Sequence, residues 1–432
     1  MIDKTYCTVY ENKIINEKYK KYVHSSGLEI YIFPKKMSTS YAVFAAKYGS
    51  IHNKYILNGE TVTNPDGVAH FLEHKLFSNE DGSDSFERFS RLGADANAYT
   101  SFNRTAYLFS CTENFEESLK ELIDFVRHPH FTKENVDSEK GIIAEEIKMY
   151  DDNPYDRCYY GMLEGLYEHH SIKRNICGSV KSISEITPAV LYQCYRSFYD
   201  LSNMVLIVCG DIDENRVLNV INEKISAEEV NSCCCVKINE KDLESPRAYK
   251  PYVEQKMQVS KPLFSIAFKD TEISKNAAER QKKDAAMAIL DEMLFSRAGE
   301  LYNYLFENDI ISPNLSCGYT ISESFAYNSI VGEAENPRLV LKEIERFIDK
   351  TIENGLSRQD FERCKRVMYA EFVKCFDSTD SIANNLLSFV SEGSELLDYA
   401  DIINSVSFDD VATLLKTRFK KEFTVLSVVL PL

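Results

Sequence analysis

No stretch of this 432-residue chain approaches about eighteen consecutive apolar residues, so no membrane-spanning helix is expected. The first residues, MIDKTYCTVYENKIINEKYKKY, lack the apolar centre of a secretory signal, and a cytoplasmic location is the expectation. Positive charge is scarce. Fifty Lys and Arg stand against 67 Asp and Glu, for a net charge of −17. That balance denies nucleic acid the basic stripe that phosphate binding needs, so neither a nucleic acid nor a membrane is expected as a partner. No CxxC pair occurs among the twelve cysteines, which removes the usual paired thiolate grip on a metal. In a chain read as unsecreted, these cysteines are expected to be reduced thiols. The contiguous Cys233, Cys234 and Cys235 read as an incidental cluster in a linker. What remains, 44% hydrophobic and 27% charged residues, describes a soluble globular chain long enough for two or more domains.

The chain repeats itself. AYTSFNRTAY at 98–107 faces GYTISESFAY at 318–327, ENFEESLKELIDFV at 113–126 faces ENPRLVLKEIERFI at 335–348, and FTKENVDSEKGIIAEE at 131–146 faces LSRQDFERCKRVMYAE at 356–371. Three matches in one order imply two homologous halves, 1–228 and 246–432, joined by a polar linker at 229–245. SGLEIYIFPKK and YAVFAAKYGS alternate apolar and polar residues as half-buried strands do. Each half closes in a β-branched run, NMVLIVCGD at 203–211 and FTVLSVVL at 423–430. Helices interleaved with hairpins predict an α+β fold, two homologous α/β sandwiches in one chain.

Within GVAHFLEHKLF, residues 67–77, His70 and His74 stand four apart with Glu73 between them. Residues at i and i+4 share a helix face, so both imidazoles can converge on one ion. Two neutral imidazoles plus a carboxylate make a catalytic zinc set that leaves a fourth position for water. The bland alternative is a pair of polar residues on a packing helix. The repeat weighs against it: aligned on Leu76-Phe77-Ser78 and Leu294-Phe295-Ser296, His70 becomes Ala288 and His74 becomes Glu292, so the helix is kept without the histidines.

The carboxylate is sought in SEKGIIAEEIKMY, 138–150. Ile142, Ile143, Ile147 and Tyr150 form an apolar stripe at about 100° per residue, with Glu146 at its centre and Glu145 pointing away. Glu139, two turns earlier on the same face, is read either as an acceptor orienting a histidine or as a solvated carboxylate favoured by the helix N-terminus. The repeat places Glu371 opposite Glu146, which suggests that this glutamate also serves a helix contact. The His169-His170 tandem and the His128/His130 pair read as loop residues.

HFLEH, GADANAYTSFNRTAY, EKGIIAEEI and CGSVKSISEIT leading to NMVLIVCGDID together resemble the pitrilysin/insulinase-type zinc metallopeptidases, the inverzincins, over nearly the whole chain. EHKLF, SFNRTAYLFS and EEIKMYDDNP are most similar to the bacterial YmfH-type branch. The resemblance implies Zn2+ held by His70, His74 and Glu146, with Glu73 as general base and Glu139 supporting the site. It also implies an edge strand at Asn97 and Ala98 that pairs with a peptide substrate; the lesser alternative for Asn97 is a turn or bulge residue. One departure stands out. Where relatives carry an Arg and a Tyr seven apart in the second half, this chain has Phe306 and Pro313. Half-length relatives work as pairs of chains around a closed chamber, so a homologous partner chain is expected, as a heterodimer or else a homodimer. The rival reading is a non-hydrolytic peptide-binding or scaffold subunit, whose relatives are marked by a broken HxxEH; here the motif is intact.

Overall fold

The computed structural model describes residues 7–226, 236–238 and 244–432; the Cys233–Cys235 cluster and most of the expected linker lie outside them. Two compact units are present. Unit 1 comprises Met1–Ile147, Asn175–Asn239 and Val373–Leu397, and unit 2 comprises Lys148–Arg174, Glu240–Phe372 and Asp398–Leu432. Each unit thus takes one segment from the other half of the sequence.

Unit 1 contains β1 (Thr8–Asn12), β2 (Glu17–Val23), β3 (Glu29–Pro34), β4 (Ser40–Ala46), β5 (Lys54–Leu57), β6 (Glu60–Thr63), β7 (Asp95–Thr100), β8 (Thr105–Cys111), β9 (Met204–Gly210) and β10 (Val236–Ile238). Seven of them form one sheet in the order β1-β2-β3-β9-β4-β8-β7, and β10-β5-β6 form a small second one. Position in the sheet explains the residues used. β9, MVLIVCG, is buried along its whole length between β3 and β4, and a strand covered on both faces reads as a continuous apolar run. β7, DANAYT, lies at the edge and has no buried residue, exposed and half-buried ones alternating from Asp95 to Ala98.

Unit 2 holds β11 (Tyr252–Met257), β12 (Leu263–Asp270), β13 (Ser316–Ile321), β14 (Ala326–Glu333) and β15 (Thr424–Pro431), in the order β11-β15-β12-β14-β13. That order repeats β3-β9-β4-β8-β7 strand for strand. In both sheets the first pair is parallel and the remaining pairs are antiparallel. The protein is α+β with one large sheet in each unit, and the repeat read from the sequence is a repeat of topology. Among the described residues no helix is long and apolar enough to cross a membrane, and the described cysteines are thiols.

Unit 1 also holds α1 (Val68–Leu76), α2 (Ser85–Leu92), α3 (Phe115–Arg127) and most of α4 (Lys133–Asp151), whose last turn, from Lys148, belongs to unit 2. α1 packs on β7 and β8, while α3 packs on β4 and β8. The start of α1 is set by Gly67, whose φ of 91° is a left-handed value that L side chains avoid. A Cβ there would also fall 2.4 Å from the Cys177 carbonyl oxygen.

Candidate metal centre

Helix α1 is almost wholly buried, His70 and Glu73 included. Polar groups removed from water need partners, and theirs come from α4 and β7. His70 Nε2 lies 3.6 Å from Glu146 Oε1, and His74 Nε2 lies 3.5 Å from Glu146 Oε2. Both separations exceed an ordinary N–H···O hydrogen bond. Two donors each about 2.0–2.1 Å from a tetrahedral ion would sit roughly 3.4 Å apart, and each histidine nitrogen stands near that distance from one of the two Glu146 oxygens; the ligand atoms that lie mutually within 4.8 Å among the described residues, however, come from His70, Glu146 and Cys177, without His74. The other nitrogen of His74, Nδ1, is 3.1 Å from Glu139 Oε1. With its proton on that side, the ring turns a lone pair on Nε2 toward Glu146.

Glu139 is therefore an acceptor for His74 and not a solvated carboxylate. It also takes a hydrogen bond from Lys75 Nζ at 3.0 Å. Burial alone would raise its pKa, but the His74 and Lys75 donors outweigh it and hold the carboxyl below its ordinary value. At His74 burial disfavours the charged ring, yet the bond to Glu139 and the charges of Glu73, Glu139 and Glu146 prevail and raise its pKa. An ion held there would displace that proton. Glu73 behaves the other way. Burial lifts its carboxyl above the ordinary range, against the opposing pull of His70, the Thr100 hydroxyl and His74.

The geometry of α4 corrects one detail of the sequence reading. Its inward stripe runs through Val136, Ile143 and Ile147, whereas Ile142 is 58% exposed. Glu139 and Glu146, seven residues apart, share one flank of that stripe, so Glu146 sits beside the apolar centre. Ile142 falls beyond them. Glu145 is exposed. So is Glu371, the counterpart of Glu146.

Three participants carried no signal in the motif. The Thr100 hydroxyl donates to Glu73 Oε2 at 2.6 Å from the end of β7. Lys75, 3% exposed, anchors Glu139. Cys177 places Sγ 3.8 Å from His70 Nε2, and one ligand atom each from His70, Glu146 and Cys177 lie within 4.8 Å of one another. The Tyr-Thr pair shared by both halves of the repeat was the one pointer to Thr100. Asn97 and Ala98 lie on edge strand β7, opposite Leu108 and Tyr107, in regular strand pairing rather than a turn or bulge. The Ala98 N–H donates to the Asn97 side-chain oxygen at 2.8 Å. His169 and His170 belong to unit 2, where His170 Nδ1 caps the Ile172 N–H, and His128 turns Nδ1 to the Asp124 carbonyl.

In unit 2 the helix Ala277–Phe295 carries Ala288, Asp291 and Glu292 at the places of His70, Glu73 and His74. Asp291 accepts from Asn328 Nδ2 at 2.7 and 2.8 Å, and burial pushes its carboxyl up to about 8. Glu292 meets Arg363 at 3.6 Å.

Residues 55–179 match the insulinase family, peptidase family M16, and residues 185–368 match the peptidase M16 inactive domain. A Bacillus subtilis protein named as the uncharacterized zinc protease YmfH is 36% identical over 94% of this chain and 95% of its own length. The chain belongs to the M16 (insulinase) family. YmxG, another B. subtilis protein named as an uncharacterized zinc protease, is 23% identical over 94% of the chain and 96% of its own. Among solved M16 folds, an M16-like peptidase from Alicyclobacillus acidocaldarius superposes with a TM-score of 0.92 at 28% identity, covering 98% of this chain and all of that one. A Helicobacter pylori protease shares the fold alone, with a TM-score of 0.82 at 16% identity over 96% of this chain and all of that one. The boundary between the two M16 matches falls after the His70–Glu146 segment, so the inactive-domain match covers Ala288 and Glu292.

Proposed function

We propose that this chain is a zinc-dependent endopeptidase that hydrolyses peptide bonds in short or unfolded chains. The observation that carries the reading is the convergence of His70 Nε2 and His74 Nε2 on the Glu146 carboxylate, with Glu73 buried on the same helix. His70, His74 and Glu146 would hold the zinc. When bound, zinc supplies a Lewis acid that polarises a carbonyl and makes water a better acid.

The remaining work falls to the chain's own groups. Glu73, its Oε2 held by the Thr100 hydroxyl, takes a proton from the attacking water and hands it to the leaving amine. Glu139 keeps the His74 ring oriented. A peptide laid along β7 finds main-chain groups of a sheet edge, at Asn97 and Ala98, two residues from the strand end that fixes Glu73. Replacing Glu73 by Gln should leave bound zinc unchanged and reduce peptide cleavage by about 100-fold or more; undiminished cleavage would reject Glu73 as the base. Glu146→Gln should lose zinc in metal analysis, and Glu145→Gln should not.

The substrate site is completed, in this proposal, by a homologous partner chain, in a heterodimer or else a homodimer enclosing a chamber. Its support is the second half, which has Phe306 and Pro313 where paired relatives carry Arg and Tyr; Phe306 is exposed on the helix Glu300–Glu307. Undiminished hydrolysis by the isolated monomer, checked by light scattering, would remove the requirement for a partner.

A further inference from the structure

The thiol of Cys177 is placed at the metal centre by the backbone around it. Cys177 N–H donates to Asn175 Oδ1 at 2.9 Å, and the Gly178 N–H donates to the Asn175 carbonyl at 2.9 Å. Gly178 has a φ of 75°, and a Cβ on it would stand 2.4 Å from the Asp66 carbonyl oxygen. The same distance separates a Cβ on Gly67 from the Cys177 carbonyl oxygen. The two glycines thus press the Cys177 backbone against the residue that opens α1, one turn before His70. Ser182 reinforces this approach by donating Oγ to the Asp66 carbonyl at 2.7 Å.

From that anchorage Sγ reaches 3.8 Å from His70 Nε2, the same nitrogen that faces Glu146 Oε1 at 3.6 Å. A zinc ion about 2.0–2.1 Å from a histidine nitrogen and about 2.3 Å from a sulfur would hold the two atoms roughly 3.6 Å apart. Cys177 is 5% exposed and His70 8% exposed, so sulfur and nitrogen share a site that bulk water scarcely enters. The remaining described cysteines form no comparable group with histidines or carboxylates.

We infer that Cys177 is a sulfur donor to the ion held by His70, His74 and Glu146, able to take the coordination position that water fills during hydrolysis. This rests on the proposal that those three residues bind the metal. Catalytic zinc sites keep one position open and structural ones close it with a protein ligand. A thiol within reach lets one centre adopt either form: closed while sulfur is bound, open when a substrate or water displaces it. Soft thiolate also widens the range of metals that the site retains, favouring zinc and its heavier congeners over oxygen-seeking ions.

The test uses the full chain, freed of metal and loaded with one equivalent of cobalt(II), and reads electronic absorption. Visible ligand-field bands report cobalt held at the histidines; a near-ultraviolet sulfur-to-cobalt charge-transfer band reports a thiolate ligand. Wild type is expected to show both, and Cys177→Ala and Cys177→Ser to keep the visible bands while losing the near-ultraviolet one. Visible bands with no difference in the near ultraviolet between wild type and either variant would overturn the sulfur ligand and leave the three-residue site standing. Cobalt spectra unchanged by His70→Ala would show that the ion binds elsewhere, and would overturn both readings.

Discussion

His74 Nδ1 lies 3.1 Å from Glu139 Oε1, and the second oxygen of that carboxylate takes the Lys75 ammonium at 3.0 Å. One half-buried glutamate thus fixes the ring of a candidate ligand and pairs with the lysine that follows it. On the proposed function its charge, more than its shape, is what a metal site would use, because an imidazole backed by a carboxylate is the better electron donor.

Glu139→Gln should therefore lower zinc affinity by about 10- to 100-fold. Competition with a coloured chelator measures this directly. Equal affinities would reduce Glu139 to a partner of Lys75.

Thr100→Val keeps the volume of the side chain and removes the donor to Glu73 Oε2. A hydrogen bond to a charged group is worth about 1.5–3 kcal/mol, so kcat should fall by about 10-fold or more while the zinc content stays at one per chain. A fall in zinc content instead would place Thr100 in the ligand framework.

At Gly67 an alanine meets two penalties, a φ of 91° and a Cβ 2.4 Å from the Cys177 carbonyl oxygen. The left-handed conformation alone costs about 1–2 kcal/mol. The clash forces α1 and the Cys177 loop apart, so Gly67→Ala should lower both the unfolding midpoint and the zinc affinity. Gly82→Ala, at a φ of 79° with nothing within 4 Å of its Cβ, is the control for strain without collision and should leave zinc affinity unchanged.

Asp291, 4% exposed, has its carboxyl pushed from 3.8 up to about 8, first by burial. The folded chain keeps this proton across a range in which the unfolded chain has released it. Its contribution to stability is complete below about pH 4 and is lost as pH rises through 8, with a slope of at most about 1.4 kcal/mol per pH unit. Asp291→Asn keeps an acceptor for Asn328 and carries no charge to release. Denaturant titrations at pH 5 and pH 8 should show a smaller drop for the variant than for wild type; equal drops would place the pH dependence in other groups.

The doubled topology was legible in the sequence because recurring Tyr-Thr and Leu-Lys-Glu patterns survive where strands and helices must pack alike. His70, His74 and Glu73 were legible because a helix places i and i+4 on one face whatever surrounds it. Thr100 and Cys177 were not, since each meets the site through a chain reversal whose end point no local spacing encodes. Ile142 was misplaced for a related reason: helical angle says which residues are neighbours on a face, but not where the face ends. The exchange of segments 148–174 and 373–397 between the units left no mark in composition or periodicity.

Two sheets that share a five-strand order give this protein an internal reference that most proteins lack. A substitution on α1 can be paired with its twin on Ala277–Phe295, where Asp291 is held by an amide and Ala288 and Glu292 replace the two histidines. What the twin loses in stability measures the cost to folding, and any excess loss at the original position belongs to chemistry.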